Sequence, residues 1–380
     1  MMRLVLFGLS IASSWGNGHA TTYRGLLREL ARRGHETAFF ERRTPWYDAN
    51  CDMPAADYTT IVRYESWPPP GVEEAVAEAD VVVLGSYAAD GEQIADWLPG
   101  RTRARRLYYD IDTPVTLEHF RQSGRTEYLR PDQLARFDLV LSFAGGPVLD
   151  ELRRWGAVRA EPFYCAVDPA VYRPVAADER FRCDLGYMGT YAPDRQPALC
   201  ELFLAPAQAR PEWRFVLAGS QYPEQAWPPN VSLVTHVPPS EHARFHSSVR
   251  WELNLTRQAM KRYGWSPSVR LFEAAACGAA ILSDCWAGFE TIFAPEKEAL
   301  LVDSQADVLA ALELPAEARA RLGEAARQVV LREHTYAQRV DQLEAWLAEL
   351  GVAGAPAGAA RRAVAAVSRE HSSRSPPGVT

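Results

Sequence analysis

The sequence predicts an α/β fold built from two doubly wound parallel-sheet domains that face each other across a cleft. The chain has 380 residues, which is more than one ordinary domain contains. Short apolar runs of strand length alternate with amphipathic helical patterns, and this alternation is typical of parallel sheets covered by helices. A proline-punctuated stretch at residues 168–174 divides the alternation into two series, which indicates a connection between two domains.

The first series begins with a predicted buried strand at residues 4–9, followed by a loop of small residues at 13–19. An apolar helical stripe then runs from Tyr23 to Ala31 and stops before Gly34, and a strand resumes at 37–40, which completes one βαβ unit. Further strands are predicted at 81–85, 106–111 and 139–143, with helices at 73–79 and 148–155.

The second series carries its own set of strands and helices. Strands are predicted at 185–188, 215–218, 232–235, 252–255, 280–283 and 300–302, and helices at 197–204, 241–248, 267–276 and 307–312. Long helical patterns follow at 316–333 and 336–350. Residues 351–380 are rich in Ala, Gly, Pro, Ser and Arg without periodicity, so they are predicted to form a disordered tail. The predicted domains are residues 1–168 and 169–334.

The charge composition disfavours a nucleic-acid partner. The net charge is −7, which gives no electrostatic attraction to a phosphate backbone. Lysine occurs only at positions 261 and 297, so a cation that binds phosphate is expected to be arginine.

The cysteines and the hydropathy pattern indicate a cytoplasmic protein. The six cysteines include no C-x-x-C pair, so neither a disulfide scaffold nor a zinc ribbon is expected. No run approaches the roughly 20 apolar residues that span a bilayer, although peripheral membrane contact stays open. The apolar start at residues 1–12 has one positive charge and leads into a turn and a helix, which disfavours a signal peptide.

The segment at residues 263–283 has the pattern of an anion-binding helix start. Ser266 is a good N-cap and Pro267 a good first helical residue, so free backbone N–H groups are expected at the carboxyl ends of the strands. A diphosphate bound there would interact with the helix dipole, Ser268 and Arg270. Glu273, about two turns from this cap, is placed to accept both hydroxyls of a ribose. The alternative is a capped core helix with Glu273 in solvent.

Residues 273–278 followed by an apolar strand resemble the E-A-x-A-x-G-x-P signature of GT-B glycosyltransferases, and residues 266–273 resemble the CgeB-like group among them. The resemblance implies two Rossmann-like domains, with Glu273 holding the ribose of a nucleotide-sugar donor. Two positions depart from the pattern. Ala280 replaces the closing proline, and Trp265 replaces the first Glu that retaining members often carry eight residues upstream.

Other segments resemble further parts of the same family. Residues 186–196 resemble the Gly-rich first turn of the donor domain, where Arg195 falls near the phosphate-binding cation, and residues 236–239 resemble the nucleobase loop. Residues 165–174 resemble the interdomain segment, and the helix at 335–350 resembles the one that crosses back to the first domain. The donor residues implied by these loops are Gly189, Thr190, Tyr191, Arg195, His236 and Val237. Arg195 as a solvated helix-start residue is the alternative.

In the first half, the loop at residues 13–19 resembles the Gly-rich, His-bearing loop that faces the acceptor in GT-B enzymes. His19 is a candidate general base, as in some inverting members, or a mere helix-start residue. Asp110 and Asp112, at the end of another strand, are candidates for a base or a sugar contact, or else turn residues. Their D-x-D spacing imitates a metal site, but that motif belongs to a different glycosyltransferase architecture. The acceptor-side loop is predicted to comprise Trp15, Gly16, Asn17 and Gly18.

Two further groups of side chains, three histidines and four aromatic residues, are candidates for ligand contacts. A zinc site from His236, His242 and His246 is disfavoured, because a glutamate precedes His242 instead of following it as H-E-x-x-H requires. Trp15, Trp46, Tyr47 and Trp67 are expected either to stack on a sugar or to fill gaps.

The expected function is transfer of a sugar from a nucleoside-diphosphate sugar, with a UDP-sugar favoured, to an unidentified acceptor hydroxyl. No metal and no cofactor are expected, and retention of the anomeric configuration is favoured over inversion. A nucleotide-sugar epimerase of the same architecture and a non-catalytic nucleotide-sugar-binding protein remain alternatives. A dinucleotide oxidoreductase is disfavoured, because Thr21 stands where G-x-G-x-x-G requires its third glycine.

Overall fold

The fold was analysed in a computed structural model that describes residues 1–224 and 226–354. It confirms the predicted α/β class with two parallel sheets, and every pair of neighbouring strands in them is parallel. The first sheet contains β1 (Arg3–Gly8), β2 (Glu36–Arg42), β3 (Thr60–Tyr64), β4 (Val81–Gly85), β5 (Arg105–Asp110), β6 (Leu139–Ser142) and β7 (Ala160–Pro162). The second contains β8 (Cys183–Met188), β9 (Phe215–Ala218), β10 (Val231–Val234), β11 (Val249–Asn254), β12 (Ala280–Ser283) and β13 (Leu300–Leu301).

Helices cover both faces of each sheet. In the first half they are α1 (Gly18–Arg32), α2 (Pro45–Ala49), α3 (Val72–Ala77), α4 (Gly91–Trp97), α5 (Thr113–Ser123) and α6 (Pro147–Arg154). In the second half they are α7 (Gln196–Leu199), α8 (Ala205–Ala209), α9 (Pro239–His246), α10 (Gln258–Tyr263), α11 (Val269–Ala276), α12 (Gln305–Leu312), α13 (Ala316–Glu333) and α14 (Tyr336–Glu349). Strands such as β4 and β9 are buried at every position, as expected for apolar runs between two helical layers.

Several elements were not predicted from the sequence. The hydrophobic periodicity of the sequence is weak in the short strands β3 and β7 and in the helices α2, α4, α5 and α10. The helix predicted at 197–204 is longer and irregular, since α7 and α8 are joined through a single π-helical turn at Cys200–Leu204.

The strand order places one switch point in each sheet. The first sheet has the order β3-β2-β1-β4-β5-β6-β7, and the second has the order β10-β9-β8-β11-β12-β13. The direction of winding therefore reverses between β1 and β4 and again between β8 and β11. Ligands of doubly wound sheets bind beyond the carboxyl ends of strands at such points.

The helix α14 packs against α1 of the first domain. Glu344 accepts hydrogen bonds from Arg33 Nη1 and pairs with His35 Nε2, both at 2.8 Å. Residues 351–354, predicted as the start of the disordered tail, instead continue this packing, because the Val352 N–H donates to the Leu347 carbonyl at 2.9 Å. The rest of the predicted tail, residues 355–380, lies outside the described residues. Among the described residues, no helix has the length and apolarity needed to cross a bilayer.

Candidate active site

A cavity of about 570 Å³ lies at both switch points, between the loops that follow β1, β4 and β5 and those that follow β8, β9 and β11. The side chains that line it come from both sheets, so the cavity is the predicted cleft. Most of the residues singled out in the sequence line it: Gly16, Asn17, Gly18, His19, Asp112, Gly189, Thr190, Arg195, His236, Val237, Ser266, Ser268, Arg270 and Glu273. Trp15, Asp110 and Tyr191 do not.

The helix α11 begins two residues later than predicted. Its N-cap is Ser268, with extended backbone angles, and not Ser266, which is buried in the preceding loop. The Ser268 hydroxyl donates to Asn254 Oδ1 at 2.7 Å instead of capping the helix. Glu273 therefore lies five residues beyond the cap. The N–H groups of the first helical turn lack partners within the helix, and this end of α11 lines the cavity.

Two arginines face the same part of the cavity without a carboxylate to neutralise them closely. Arg270 is buried over the Tyr187 ring at 5.0 Å, and its acceptors among the described residues are the Met188 carbonyl and Asn254 Oδ1. Arg195 donates to the Thr190 carbonyl, while its buried Nε finds no partner in the described part of the chain. A guanidinium whose acceptors are neutral oxygens retains its full charge for an anionic ligand.

Two glycines allow the loops after β8 and β9 to meet under this site. The Gly189 N–H donates to the Ala218 carbonyl at 2.8 Å. A Cβ atom on Gly219 would lie 2.0 Å from the Gly189 carbonyl oxygen, and this clash with a backbone atom cannot be relieved by a side-chain rotation. Only glycine fits at position 219.

Replacing Gly219 with alanine is therefore expected to reduce the free energy of unfolding by roughly 1–3 kcal/mol, the usual penalty of overpacking. Gly18→Ala is the matched control, because a Cβ there meets no heavy atom within 4 Å. That variant should be as stable as the parent, and urea denaturation measures both. Equal stabilities for the two variants would contradict the close approach.

The carboxylate of Glu273 is buried, at 4% exposure, on the cavity wall. Its Oε2 lies 3.9 Å from His242 Nδ1 and 4.0 Å from His246 Nε2. The loop after β10 lies beside it, where the Val237 carbonyl accepts from His242 Nε2 at 3.2 Å. Glu273 is thus a fixed wall residue and not a solvated one.

The three histidines of this region have separate partners. His246 pairs with Glu252 at 3.0 Å, and His242 bonds to the Val237 carbonyl. His236 stacks on Trp15 of the first domain, with ring centroids 4.1 Å apart and a tilt of 37°. Burial lowers the pKa of His236 and of His242, so both imidazoles are neutral at pH 7.

Two residues predicted at the site, Trp15 and Tyr191, lie beside the cavity and do not line it. Trp15 bridges the cleft by this stacking and does not line the cavity. Tyr191 turns away from the cavity to pack edge-on against Tyr222, with centroids 5.6 Å apart, and Tyr222 donates to the Gly189 carbonyl at 3.1 Å.

On the opposite wall, the loop before α1 is built around Asn17. Its side chain caps α1 by accepting from the His19 N–H at 3.1 Å, and it donates to the Ser10 and Ser13 carbonyls at 3.0 Å each. The buried Glu41 carboxylate supports the loop further by accepting from the Ile11 N–H at 2.6 Å. These bonds fix His19 at the cavity surface.

His19 and Asp112 form a pair across the two strand ends. His19 Nε2 lies 3.4 Å from Asp112 Oδ2, and Nδ1 is buried without a partner among the described residues. The Tyr87 ring meets the imidazole edge-on at 5.3 Å. Burial raises the pKa of the Asp112 carboxyl, but the hydrogen bond and charge of His19, together with Arg257, outweigh it and leave this pKa below its usual value.

Asp110 lies outside the cavity, which corrects its assignment as a substrate contact. It is fully buried and accepts from Thr116 Oγ1 at 3.1 Å and from the Asp112 N–H at 3.2 Å. Burial raises its pKa to about 7. The two carboxylates differ because Asp110 is the last residue of β5 and is fully buried, whereas Asp112 occupies the N-cap position of α5 and its side chain faces His19.

Sequence reasoning missed several polar residues of the cavity, among them Arg257 and Tyr87. Arg257 follows β11, and its buried Nε makes no hydrogen bond among the described residues but forms an ion pair with Asp194 Oδ2 at 3.7 Å. Tyr87 follows β4 and has a left-handed backbone, with φ of 61°. Each lies two residues after the end of a predicted strand, so the rule that ligands bind beyond strand ends would have found them.

The aromatic residues that are candidates for sugar stacking lie in different places. Tyr47 lines the cavity, and Trp46 beside it is half exposed on the surface. Trp67 fills a gap in the core, edge-on to Phe7 at 5.6 Å and to Trp97 at 5.3 Å.

Comparison with known proteins agrees with this architecture. Residues 195–345 match a family described as glycosyl transferase-like. No curated protein matches the chain. Among solved structures, sucrose-phosphate synthase from Thermosynechococcus elongatus is 16% identical with a TM-score of 0.69, and the alignment covers 93% of this chain and all of the other.

Two further structures show the same likeness. Anabaena HepE in complex with UDP and glucose and an α-glucosyltransferase in complex with UDP are each 12% identical with a TM-score of 0.67, covering 92% of this chain and all of theirs. The resemblance of residues 266–273 to the CgeB-like group stays a prediction. The chain adopts the GT-B fold, two Rossmann-like domains facing across a cleft, and its second half carries the glycosyl transferase-like match.

Proposed function

We propose that this protein is a glycosyltransferase that moves a sugar from a UDP-sugar to an acceptor hydroxyl, without a metal ion. The observation that carries the proposal is the arrangement around one cavity. Arg195, Arg270 and the start of α11 offer donors to a diphosphate, Glu273 offers a carboxylate to a ribose, and the His19–Asp112 pair faces them from the other domain. A nucleotide sugar has an anionic diphosphate that matches the hydrogen-bond donors and ribose hydroxyls that match the carboxylate.

The choice of uridine is supported by what the similar structures contain. HepE is described with UDP-glucose, the α-glucosyltransferase with UDP, and a protein from E. coli with UDP-2-fluoro glucose. Three further structures of an α-glucosyltransferase also contain DNA. The net charge of −7 supports an acceptor other than nucleic acid here.

In the proposed reaction, the bond between the anomeric carbon and the diphosphate oxygen breaks, and the acceptor oxygen bonds to that carbon. The electron pair leaves with the diphosphate, whose growing charge is stabilised by Arg195, Arg270 and the dipole of α11. Closure of the cleft around the reactants excludes water, which would otherwise take the place of the acceptor.

We propose retention, because neither nitrogen of His19 is open to an acceptor: Nε2 faces Asp112 and Nδ1 is buried. The lowered pKa of Asp112 makes it a weak base. The acceptor proton then passes to the leaving diphosphate, and proton NMR of the product glycoside reports the configuration.

The state of the six cysteines is evidence on the cellular compartment of the protein. All of them are free thiols. A chain without disulfides suits a reducing compartment, which supports the proposed cytoplasmic location.

Binding of UDP is the first test of the donor site. UDP is expected to raise the melting temperature more than GDP, TDP, ADP or NAD, since a ligand of the folded state stabilises it. Glu273→Ala and Arg195→Ala should each weaken calorimetric UDP affinity by at least about tenfold, roughly 1.4 kcal/mol. Arg319→Ala is the control, because Arg319 lies on α13 and is also partly buried with an unpartnered nitrogen.

The outcomes separate the candidate functions. Binding of NAD alone, or of no nucleotide, would overturn the donor assignment. Conversion of a UDP-sugar into its epimer without acceptor would favour the epimerase, and binding without any turnover would favour a nucleotide-sugar-binding protein.

A further inference from the structure

A segment of the second domain, residues 257–268, leaves the cavity wall, contacts the first domain and returns to the cavity wall. We call this segment the strap. It contains α10 and the residues that lead into α11. The strap residues that line the cavity lie near its two ends: Arg257, Met260, Ser266, Pro267 and Ser268. A contact made by the middle of the strap can therefore affect both ends.

The middle of the strap is bound to α5 of the first domain. Arg262 Nη1 donates to Glu118 Oε1 at 2.7 Å and to Glu118 Oε2 at 2.8 Å. The Arg121 guanidinium lies over the Tyr263 ring, 5.0 Å from its centroid, and Tyr263 also packs against the hydrophobic core of the first domain. An ion pair and an aromatic side chain thus join α10 to the opposite side of the cleft.

The part of the strap that precedes α11 is joined to the first domain through its backbone. The Trp265 carbonyl accepts from the Gly145 N–H at 2.9 Å. The Pro267 carbonyl accepts from Cys165 Sγ at 3.4 Å. Ser268, the next residue, is the N-cap of α11. The position of the first domain therefore bears directly on the start of α11.

The beginning of the strap is joined to the loop that carries Arg195. The Gln258 N–H donates to Asp194 Oδ2 at 2.9 Å, and Asp194 immediately precedes Arg195. A movement of α10 would therefore disturb the loop of Arg195 as well as the start of α11. These are the two groups assigned to the donor diphosphate.

We infer that Glu118 and Arg262 are positioning residues for the donor. Their ion pair holds the strap on α5, and the strap holds the Arg195 loop and the start of α11 in the arrangement that binds a diphosphate. Neither Glu118 nor Arg262 lines the cavity, so both act through the strap. This role rests on the proposed function, since it requires a nucleotide in the cavity.

The sign of the effect of Glu118 separates this role from simple electrostatics. UDP is an anion, so removing or reversing the negative charge of Glu118 would strengthen UDP binding if the charge acted only at a distance. A docked strap requires the opposite. Glu118→Lys places a cation beside Arg262 and is expected to weaken calorimetric UDP affinity about fivefold.

Two further variants complete this test. Adding Arg262→Glu to Glu118→Lys restores an ion pair of reversed polarity, so the double variant should recover most of the parent's UDP affinity. Glu73→Lys is the matched control, because Glu73 is an exposed carboxylate of the first domain that pairs with Arg101 at 2.7 Å away from the cavity. It should leave UDP affinity within about twofold of the parent.

Amide hydrogen exchange at residues 258–264 measures the docking itself, without a nucleotide. Exchange there should be faster in Glu118→Lys than in the parent and slow again in the double variant. Arg262→Gln gives the same comparison if Glu118→Lys folds poorly, with UDP affinity reduced about threefold.

Unchanged or tighter UDP binding in Glu118→Lys would overturn the positioning role, as would a double variant that stays as weak as Glu118→Lys. Unchanged exchange at residues 258–264 would overturn it as well. Failure of the parent to bind any nucleoside diphosphate is a different result. It would remove the proposed function, and the positioning role with it.

Discussion

Replacement of Arg270 with methionine is expected to weaken UDP binding at least about a hundredfold. The guanidinium is buried at the start of α11, and its charge meets neutral oxygens of Met188 and Asn254 instead of a carboxylate. Charge-assisted hydrogen bonds to a diphosphate contribute roughly 1.5–3 kcal/mol each, so the loss of a bidentate contact exceeds about 3 kcal/mol. Titration calorimetry with UDP measures this loss directly.

Two further variants test whether the loss of affinity is specific to the Arg270 guanidinium. Arg270→Lys keeps the charge but not the planar fork, so its UDP affinity should fall between those of the parent and Arg270→Met. Arg327→Met removes an arginine on α13 whose buried Nε makes no hydrogen bond among the described residues, and it should leave UDP affinity unchanged. A loss below about threefold in Arg270→Met would mean that the diphosphate binds elsewhere.

The sequence was most informative where the chemistry is local. The apolar runs, the glycine-rich loops and the segment around Glu273 predicted the fold and most of the cavity wall. The start of α11 was misplaced because Ser266 and Ser268 are both acceptable caps. The choice between them depends on Asn254, which accepts from the Ser268 hydroxyl across the sheet.

Other site features depend on contacts that no local pattern encodes. Tyr172 and His242 are 70 positions apart and meet only because the connection between the sheets passes behind α9. Trp265, at the position where retaining GT-B enzymes often carry a Glu, has φ of 46° and lies between Gly146 of the first domain and Gly288 of the second. A Cβ at either glycine would come within 2.6 Å of its ring. The ring is used for packing between domains, which explains why a carboxylate is absent there.

The environment of Asp110 also depends on contacts that no local pattern encodes, and its substitution has the second large predicted effect, on the pH dependence of stability. The free energy of unfolding of Asp110→Asn, measured relative to that of the parent, is expected to increase as the pH rises from 4 to 8. Burial raises the pKa of Asp110 from 3.8 to about 7, so the folded state binds this proton more tightly than the unfolded state does. Its contribution to stability is complete below pH 3.8 and is lost as the pH rises to about 7.

The variant has no proton to lose at this position, so its advantage over the parent should grow across that interval. A shift of this size corresponds to a change on the order of 4 kcal/mol in the free energy of unfolding. The asparagine amide keeps an oxygen for the Thr116 hydroxyl and the Asp112 N–H, so the local hydrogen bonds survive. Urea denaturation at half-unit steps of pH measures the difference.

Asp112→Asn is the matched control, because the two aspartates are neighbours with opposite shifts. The pKa of Asp112 is lowered, so its carboxylate stabilises the folded state above pH 3.8 and the contribution disappears only in more acidic solution. Between pH 4 and 8 the Asp112 carboxylate stays ionised in the folded and the unfolded state, so Asp112→Asn should lack the steady gain expected of Asp110→Asn. A constant difference between Asp110→Asn and the parent would show that Asp110 is ionised in the folded protein, and it would restore that carboxylate as a candidate base.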